Sequence, residues 1–413
     1  MRRYLPFIML AIFWLRAAMA TTFSPLQGDV SGQLVLPGFG EVPPLDWHLQ
    51  VNPHPNGDNL LHVNVTAPGL AIVVELSVPA NSEVMNWRIL DGEIDLTRWW
   101  RPISTRAGLA EFPSDLIVSG ALHVTGDGTL LDKQISGQVE ATIVGGSASS
   151  SAQKWSVADL DLETRLMISP ENLLVQSLEL RSGEASVVGI ALRNILVAAE
   201  GDDRHRLKII SASVNMLGGR IALQPFTLDP GKLEIDTMAE LEGVALSSIA
   251  DFVPQTLHDA SGQLKGRVAV RWNAKLGTRP GGGSLTLAAT SPASLRLAAT
   301  PGFLTQHTTE RIQWLPDFMG PIARWLAVEN PAYDTLRQIE MGDLPLQVEK
   351  LIVDLYPDGP NGTRSALVEV VARPVAGTAV GKVSFTLNVS GPLDEVLRLG
   401  SDERVNMNLN KKP

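Results

Sequence analysis

Seven histidines, one serine–lysine pair, a triple glycine and a short run of acids are the residues in this 413-residue chain with types suited to chemistry. The histidines are His48, His54, His62, His123, His205, His258 and His307. A zinc site needs ligands at spacings such as H-x-x-x-H, usually with cysteine as complement. No histidine pair has that spacing and the chain has no cysteine, so no metal site is expected. His48, His54 and His62 flank a Pro/Asn/Gly loop and read as surface residues. Ser151 and Lys154 match S-x-x-K, which at the start of a helix sets a base beside a nucleophile. Here the pair ends a Ser/Gly stretch, runs into a strand and lacks the S-D-N and K-T-G companions of that chemistry. Gly281–Gly283 lacks the Lys-Ser/Thr that completes a phosphate loop and reads as a turn. Asp159, Asp161 and Glu163 share one strand face by period 2, as an acidic outward face does. The inventory contains no catalytic set and implies no cofactor.

The composition places the chain. Arg2 and Arg3 precede an apolar run from Tyr4 to Leu15, and Ala18-Met19-Ala20 then gives a small-x-small cleavage pattern. A membrane-spanning helix takes roughly 20 apolar residues, and this run stops at Arg16 well short of that. The expectation is an export signal over 1–20, cut before Thr21, and a mature chain in the periplasm or at its margin, with inner-membrane association if the signal stays as an anchor. The formal charge of −10 becomes −13 once Arg2, Arg3 and Arg16 are removed (−10 − 3). That balance argues against nucleic acid and against docking to an anionic membrane through a basic patch. An exported fold without disulfides has to be held by backbone pairing and apolar burial.

The elements available are almost all strands. Apolar and polar residues alternate over short runs that end at Gly, Pro, Asn or Asp, the signature of half-buried strands. Gly69–Val78, Leu116–Val124, Leu173–Leu180, Arg206–Val214 and Val383–Val389 are examples, and Asp91-Gly92, Asp127-Gly128, Asp358-Gly359 and Asn361-Gly362 supply turn signals. Ser-Gly-Gln opens three similar segments at Ser31, Ser136 and Ser261. The recurrence is either one kind of turn-into-strand used repeatedly or chance. Gly145–Ser151 has the composition of a flexible linker. From Gly302 to Met341 the alternation lapses; helical spacing is expected over Thr305–Leu315, Ile322–Val328 and Tyr333–Ile339. Trp99-Trp100 and the pair Trp314 and Trp325 fit either the capped end of a β core or a membrane interface, with the core end favoured for Trp99-Trp100 and the two readings balanced for Trp314 and Trp325. The expected organisation is a signal (1–20), an N-terminal β region (21–150), a β core (151–301), a helical cap (302–341) and a C-terminal β region (342–413).

The most distinctive stretch runs from Val214 to Arg271. It contains Gly218-Gly219, Pro225-Phe226-Thr227-Leu228-Asp229-Pro230, Gly243 and Leu246, then Pro254, and closes on Ser261-Gly262-Gln263-Leu264-Lys265-Gly266. In order and spacing it resembles the YdbH-like family, a branch of the AsmA-like and TamB envelope proteins of Gram-negative bacteria. The likeness continues more loosely through Val353–Gly359. Near the N-terminus, Gly28–Gly32 followed by Leu45–Leu49 is also similar to type II secretion protein N.

The YdbH-like resemblance implies a mainly β protein: a long, curved, antiparallel-rich sheet forming an open apolar groove, with the helical segment near 302–341 as its lip or cap. It implies phospholipid or another acyl-chain lipid as partner, along with the inner or outer membrane or envelope proteins. The expected function is non-enzymatic intermembrane phospholipid transfer or envelope lipid homeostasis. The alternative is a β scaffold for secretion or outer-membrane assembly that binds by strand addition at its edges.

Overall fold

The computed structural model describes residues 28–35, 43–53, 58–79, 83–106, 115–132, 134–170, 172–187, 189–202, 206–229, 234–250, 257–273, 277–289, 292–314, 327–356, 365–375, 377–390 and 407–410. The expected signal over 1–20, the turns at Asp358-Gly359 and Asn361-Gly362, and motif residues Pro230 and Pro254 lie outside them, as do His54, His205 and Trp325. Among the described residues the protein is mainly β and antiparallel, with 23 strands in sheet and two more in a separate ribbon, and the sheet is not closed into a barrel. The chain divides into two compact units: one runs up to Ala212 and includes Thr227–Lys232, and the other takes Ser213–Phe226 and everything from Leu233.

The first unit is a meander built from β1 (Gly28–Leu34), β2 (Leu45–Pro53), β3 (Asn59–Ala67), β4 (Leu70–Val78) and β5 (Met85–Asp95), followed by helix α1 (Leu96–Arg106). It continues through β6 (Ile117–Ser119), β7 (Ala121–Leu131), β8 (Gln134–Ser150), β9 (Trp155–Ile168), β10 (Leu173–Val187) and β11 (Ile190–Gly201), and β12 (Leu207–Met216) leads out of it. Each of β1 to β5 pairs with the next. β5 then pairs with β7, and β7 to β11 continue neighbour by neighbour. Short β6 pairs with the far half of β8. Tight turns follow from local chemistry: Gly69 sits at φ +75 after Pro68, and Leu217-Gly218 at φ +51 and +75 joins β12 to the next strand.

Between the units runs β14 (Phe226–Leu228), whose Thr227 and Leu228 belong to the first; the second unit holds β13 (Gly219–Leu223), β15 (Glu234–Ala245), helix α2 (Leu246–Ala250), β16 (Leu257–Ser261), β17 (Gln263–Asn273), β18 (Gly277–Leu287) and β19 (Ala293–Leu297). After these come the ribbon β20 (Arg311–Ile312) and β21 (Val328–Glu329), helix α3 (Pro331–Glu340), β22 (Leu346–Leu355), β23 (Ser365–Pro374), β24 (Val383–Ser390) and β25 (Met407–Asn410). The main ladder runs β13, β15, β17, β18, β22, β23, β24, β25. β16 and β19 pair with each other, and β19 also pairs with β22.

Three expectations are corrected. Gly145–Ser150 is no linker but the second half of β8, paired to β6 on one side and β9 on the other. Its small residues serve close approach: a Cβ on Gly120 would stand 3.0 Å from the Gly146 Cα. Over its described part, residues 305–314, the segment Thr305–Leu315 is not a helix. Residues 301–307 form turns and Arg311–Ile312 is a strand, while Tyr333–Ile339 does fall in α3. Of the expected helix Ile322–Val328, residues 322–326 lie outside the described residues and Val328 is in β21. Finally, the Ser-Gly-Gln tripeptides are not one recurring turn. Gly32 and Gly137 lie inside strands beneath Trp47 and Trp87, whereas Gly262, at φ +118, links β16 to β17.

A true recurrence sits elsewhere. In the first unit the β5-to-α1 junction is held by Asp95 N–H donating to Gly69 O (2.8 Å) and Leu96 N–H to Gly120 O (2.9 Å). In the second unit Ala245 N–H donates to Leu217 O (2.8 Å) and Leu246 N–H to Gly262 O (3.0 Å). Beside each junction a serine pair bonds across the short strand: Ser119 with Ser147 at 2.7 Å, and Ser261 with Ser294 at 2.8 Å. Gly69 and Gly218 both adopt φ +75, and Gly120 and Gly262 adopt +123 and +118. Each unit thus repeats one frame of strand, helix, short strand and long strand.

Candidate lipid-facing surface

Strand alternation gives each sheet two faces, and in the first unit the division is nearly complete. Reading the pairing register from strand to strand, Ala67, Leu70, Ile94, Leu122, Ile143, Leu162, Leu180 and Val197 form one row across β3, β4, β5, β7, β8, β9, β10 and β11. A second row runs Val30, Leu49, Val63, Val74, Ile89, Gly126, Val139, Leu166, Val175. In a third, Val51, Leu61, Leu76 and Trp87 are followed by Gly128, Gly137 and Ile168. The glycines there give room. A Cβ on Gly128 or Gly137 would come within 2.7 or 2.6 Å of the Trp87 ring, which is 1 % exposed. The Trp87 indole N–H has no hydrogen-bond partner in this apolar setting. With ten strands in the ladder at about 4.8 Å each, the apolar face is roughly 40 Å across.

The opposite face carries the charge. His48 meets Asp29 at 2.9 Å, and Arg165 donates to Glu140 at 2.8 Å. Asp159, Asp161 and Glu163 are all exposed, and Asp161 accepts from the Gly145 N–H at 2.9 Å. The three acids keep their step of two, and the phase breaks just before Asp159, which holds φ +49 in a bulge. Asn194 in β11 holds φ +50 at the matching level, with Gly183 between them. At that line the inward set changes phase in all three strands: Trp155, Val157, Leu160 and Leu162 in β9, Leu180, Ser182 and Ala185 in β10, Leu192, Ile195 and Val197 in β11. The apolar face therefore continues across the bulges instead of crossing to the other side.

Burial grades along the apolar face. Over β2–β8 the inner residues form a core, with Leu61 and Leu76 3 % exposed and Ile135 2 %. Over β9–β11, Leu160, Leu162, Leu178, Leu180, Ile195 and Val197 remain half-buried and belong to neither core cluster. α1 closes the strand ends, burying Leu96 and Trp99 with Ile103 packed alongside, and the Trp99 indole N–H donates to Pro68 O at 3.2 Å. The core-capping role expected of Trp99 holds, while Trp100 is half-buried. Trp314 is 74 % exposed.

The second unit follows the same rule with a better cover. Ile221, Leu241, Gly266, Leu285, Val353 and Val368 form a row across β13, β15, β17, β18, β22 and β23. Outside, Arg267 pairs with Glu240 at 2.9 Å and Lys350 with Glu369 at 3.4 Å. The core includes Leu264 and Leu346 at 1 % and Ile339 of α3 at 0 % exposure. Phe303 packs edge-on to Phe385 with centroids 5.8 Å apart. The 300–344 excursion is pinned by Glu340, which is 3 % exposed. Its carboxylate accepts from the Gly302, Leu304 and Thr305 amides and the Thr305 hydroxyl, at 2.9–3.1 Å. Burial alone would raise its pKa; those donors outweigh it and leave the pKa lowered. Asp115 is likewise lowered, first by the Ala152 amide and then by Ser150 and Ser151, and it fastens the β8–β9 turn.

Of the distinctive motif, Gly218, Gly243, Leu246, Ser261, Gly262 and Leu264 meet at the β15–α2–β16–β17 frame, where Gly243 supplies a bulge at φ +69. Gly219 and Gly266 lie where a Cβ would strike neighbouring backbone at 2.5 and 2.1 Å. Pro225 is exposed, and Phe226 and Leu228 are half-buried in β14. Gly219, Gly243, Gly262 and Gly266 are positions in the motif where close approach or a positive φ calls for glycine. The sequence reading missed Glu340, α1 and α2. An acid closing a helix, where the dipole disfavours it, was the available signal for the first. Among the described residues no cluster of His, Asp and Glu could hold a metal ion, and no helix is long and apolar enough to cross a membrane.

A protein-family model described as "YdbH-like: Intermembrane phospholipid transport protein YdbH" matches residues 23–312, more than two-thirds of the chain. No curated protein and no solved structure matches it.

Proposed function

We propose, for a chain that belongs to the YdbH-like family of intermembrane phospholipid transport proteins, that it carries phospholipid acyl chains along the apolar face of its sheet between the membranes of a bacterial envelope. One observation supports this above the rest: uninterrupted apolar rows cross eight or more strands and end on β9–β11, where Leu162, Leu180 and Val197 stay half-buried. Each methylene that leaves water for such a surface returns about 0.8 kcal/mol, so two acyl chains need no specific polar contact. A lipid lying there would complete the burial that β2–β8 achieve with their own side chains. The reading is non-enzymatic, and the periplasm is the compartment it requires.

The test is lipid extraction and mass spectrometry on protein purified from the periplasm. Phospholipid recovered with the native chain, and lost from a Leu162→Asp/Leu180→Asp variant that still folds, supports transport. A second reading, a scaffold joined by strand addition, draws on β1, which pairs only with β2 among the described residues and exposes Val30 (52 %). A lipid-free native chain that captures an extended peptide on β1 would favour it.

A further inference from the structure

Among the described residues one buried side-chain polar atom has no hydrogen-bond partner, the Trp87 indole Nε1. Most buried polar groups in folded proteins are paired, and a donor withdrawn from water without an acceptor destabilises the fold. The side chains around this one supply no acceptor: Leu61, Leu76, Leu130 and Ile135 belong to the same core cluster. That setting also suits a water poorly, since a buried water needs several polar partners.

Two glycines give this N–H its direction. Trp87 pairs with Gly128, and Gly128 with Gly137, so the indole lies across β7 and β8 on the apolar face. A Cβ on either glycine would stand 2.7 or 2.6 Å from the ring's Cζ2. Cζ2 and Nε1 share one edge of an indole, so the N–H edge reaches to β8, next to β9. The row then passes through Ile168 of β9 to Leu173 of β10. Exposure rises along it, from 1 % at Trp87 and 4 % at Ile168 to 36 % at Leu173. The unpaired donor thus stands at the inner end of a row that opens onto the strands whose apolar face is half-covered.

We propose that the Trp87 N–H receives an ester carbonyl of a bound glycerolipid and so fixes which way round the lipid lies. An ester carbonyl is a neutral acceptor at the head of an acyl chain, which an apolar niche can admit at far lower cost than a charged phosphate. It gains the N–H by displacing the Ile168 side chain, which stands in the row between the indole and Leu173. The tails then run along β9–β11 over Leu166, Leu162 and Leu160, and the head leaves at the β9–β10 turn. Ile168 to Leu160 is eight residues (168 − 160), about 26 Å of strand, longer than one leaflet's half of a ~30 Å bilayer core. The proposal rests on the carrier function. The apolar face supplies the drive without polar contact, and the donor supplies orientation and selection for ester lipids.

The experiment is a competition. The full chain is exchanged with vesicles holding equal parts of a diester phosphatidylglycerol and its diether analogue with the same tails, then repurified and its lipid counted by mass spectrometry. The diether keeps headgroup and tails and lacks both carbonyls. Native protein is expected to recover ester over ether lipid on the order of tenfold, as one hydrogen bond to an otherwise unpaired buried donor gives. Trp87→Phe, which keeps an aromatic ring and removes the N–H, is expected to take both equally. Trp155→Phe removes an N–H that donates to Gln153 Oε1 at 3.0 Å at the other end of β9, and is expected to keep the native preference. Should Trp87→Phe not fold, the Trp87 indole N–H resonance of the native chain carries the test: ester lipid moves it downfield and ether lipid does not. Equal recovery of the two lipids by the native chain, or a preference that survives in Trp87→Phe, overturns the proposal and leaves lipid carriage standing. No lipid of either kind in the native chain overturns the carrier function and the proposal with it.

Discussion

Gly128 and Gly137 form the floor under Trp87, and the space they leave cannot take a methyl group. A Cβ on Gly137 would stand 2.2 Å from the Asp127 carbonyl oxygen and 2.6 Å from the indole, so the strand itself would have to shift. Gly137→Ala is expected to lower stability by about 3 kcal/mol in urea unfolding, as overpacking does. Gly28→Ala, with nothing within 4 Å, should be neutral. Glu340 is the other decisive residue. Its folded pKa lies below its ordinary value of 4.5, so the stability it contributes is fully present above that pH and is lost as pH falls through the lower folded value. The acid limb of the stability curve should therefore flatten in Glu340→Gln, and Glu340→Ala should cost about 3 kcal/mol at neutral pH by stranding four donors. An unchanged acid limb in the glutamine variant would show that the carboxylate does not hold the excursion.

Elements were legible to different degrees, for physical reasons. Period-2 alternation made the strands plain, since a sheet with one apolar face must separate its faces residue by residue. The same alternation hid the bulges at Asp159 and Asn194, because one residue at positive φ shifts the inward set without any change in composition. Gly145–Ser150 shows the converse: small residues read as flexibility, yet a strand flanked on both sides by close neighbours needs them just as much. α1 escaped notice because Pro102 and three arginines disguise an inward face of only Leu96, Trp99 and Ile103. That face is the helix's main attachment, so Trp99→Ala is expected to cost about 3–5 kcal/mol. Trp100→Ala, at a half-buried position, should cost less than half as much in the same urea titration.

At the scale of the molecule, the two units apply one design. Each exposes charge on one side, gathers leucine, valine and isoleucine on the other, and turns its helix inward at a glycine-governed junction. They differ in how the apolar side is completed. The second unit supplies Phe303, Leu304, Ile339 and Leu344 from its own excursion, whereas the first leaves the β9–β11 end of its face half-covered. The family was readable from the Val214–Arg271 stretch, which lies within the residues the family model matches. The half-covered surface was not, because exposure depends on how far strands curl towards one another, which pairing periodicity does not encode. The account rests on that surface binding acyl chains, and mass spectrometry of lipid extracted from the purified native chain against Leu162→Asp/Leu180→Asp/Val197→Asp tests it most directly. It predicts phospholipid in the native protein and at least a tenfold loss, roughly 1.4 kcal/mol or more, in the folded variant. Equal lipid in both, or none in the native chain, would contradict it.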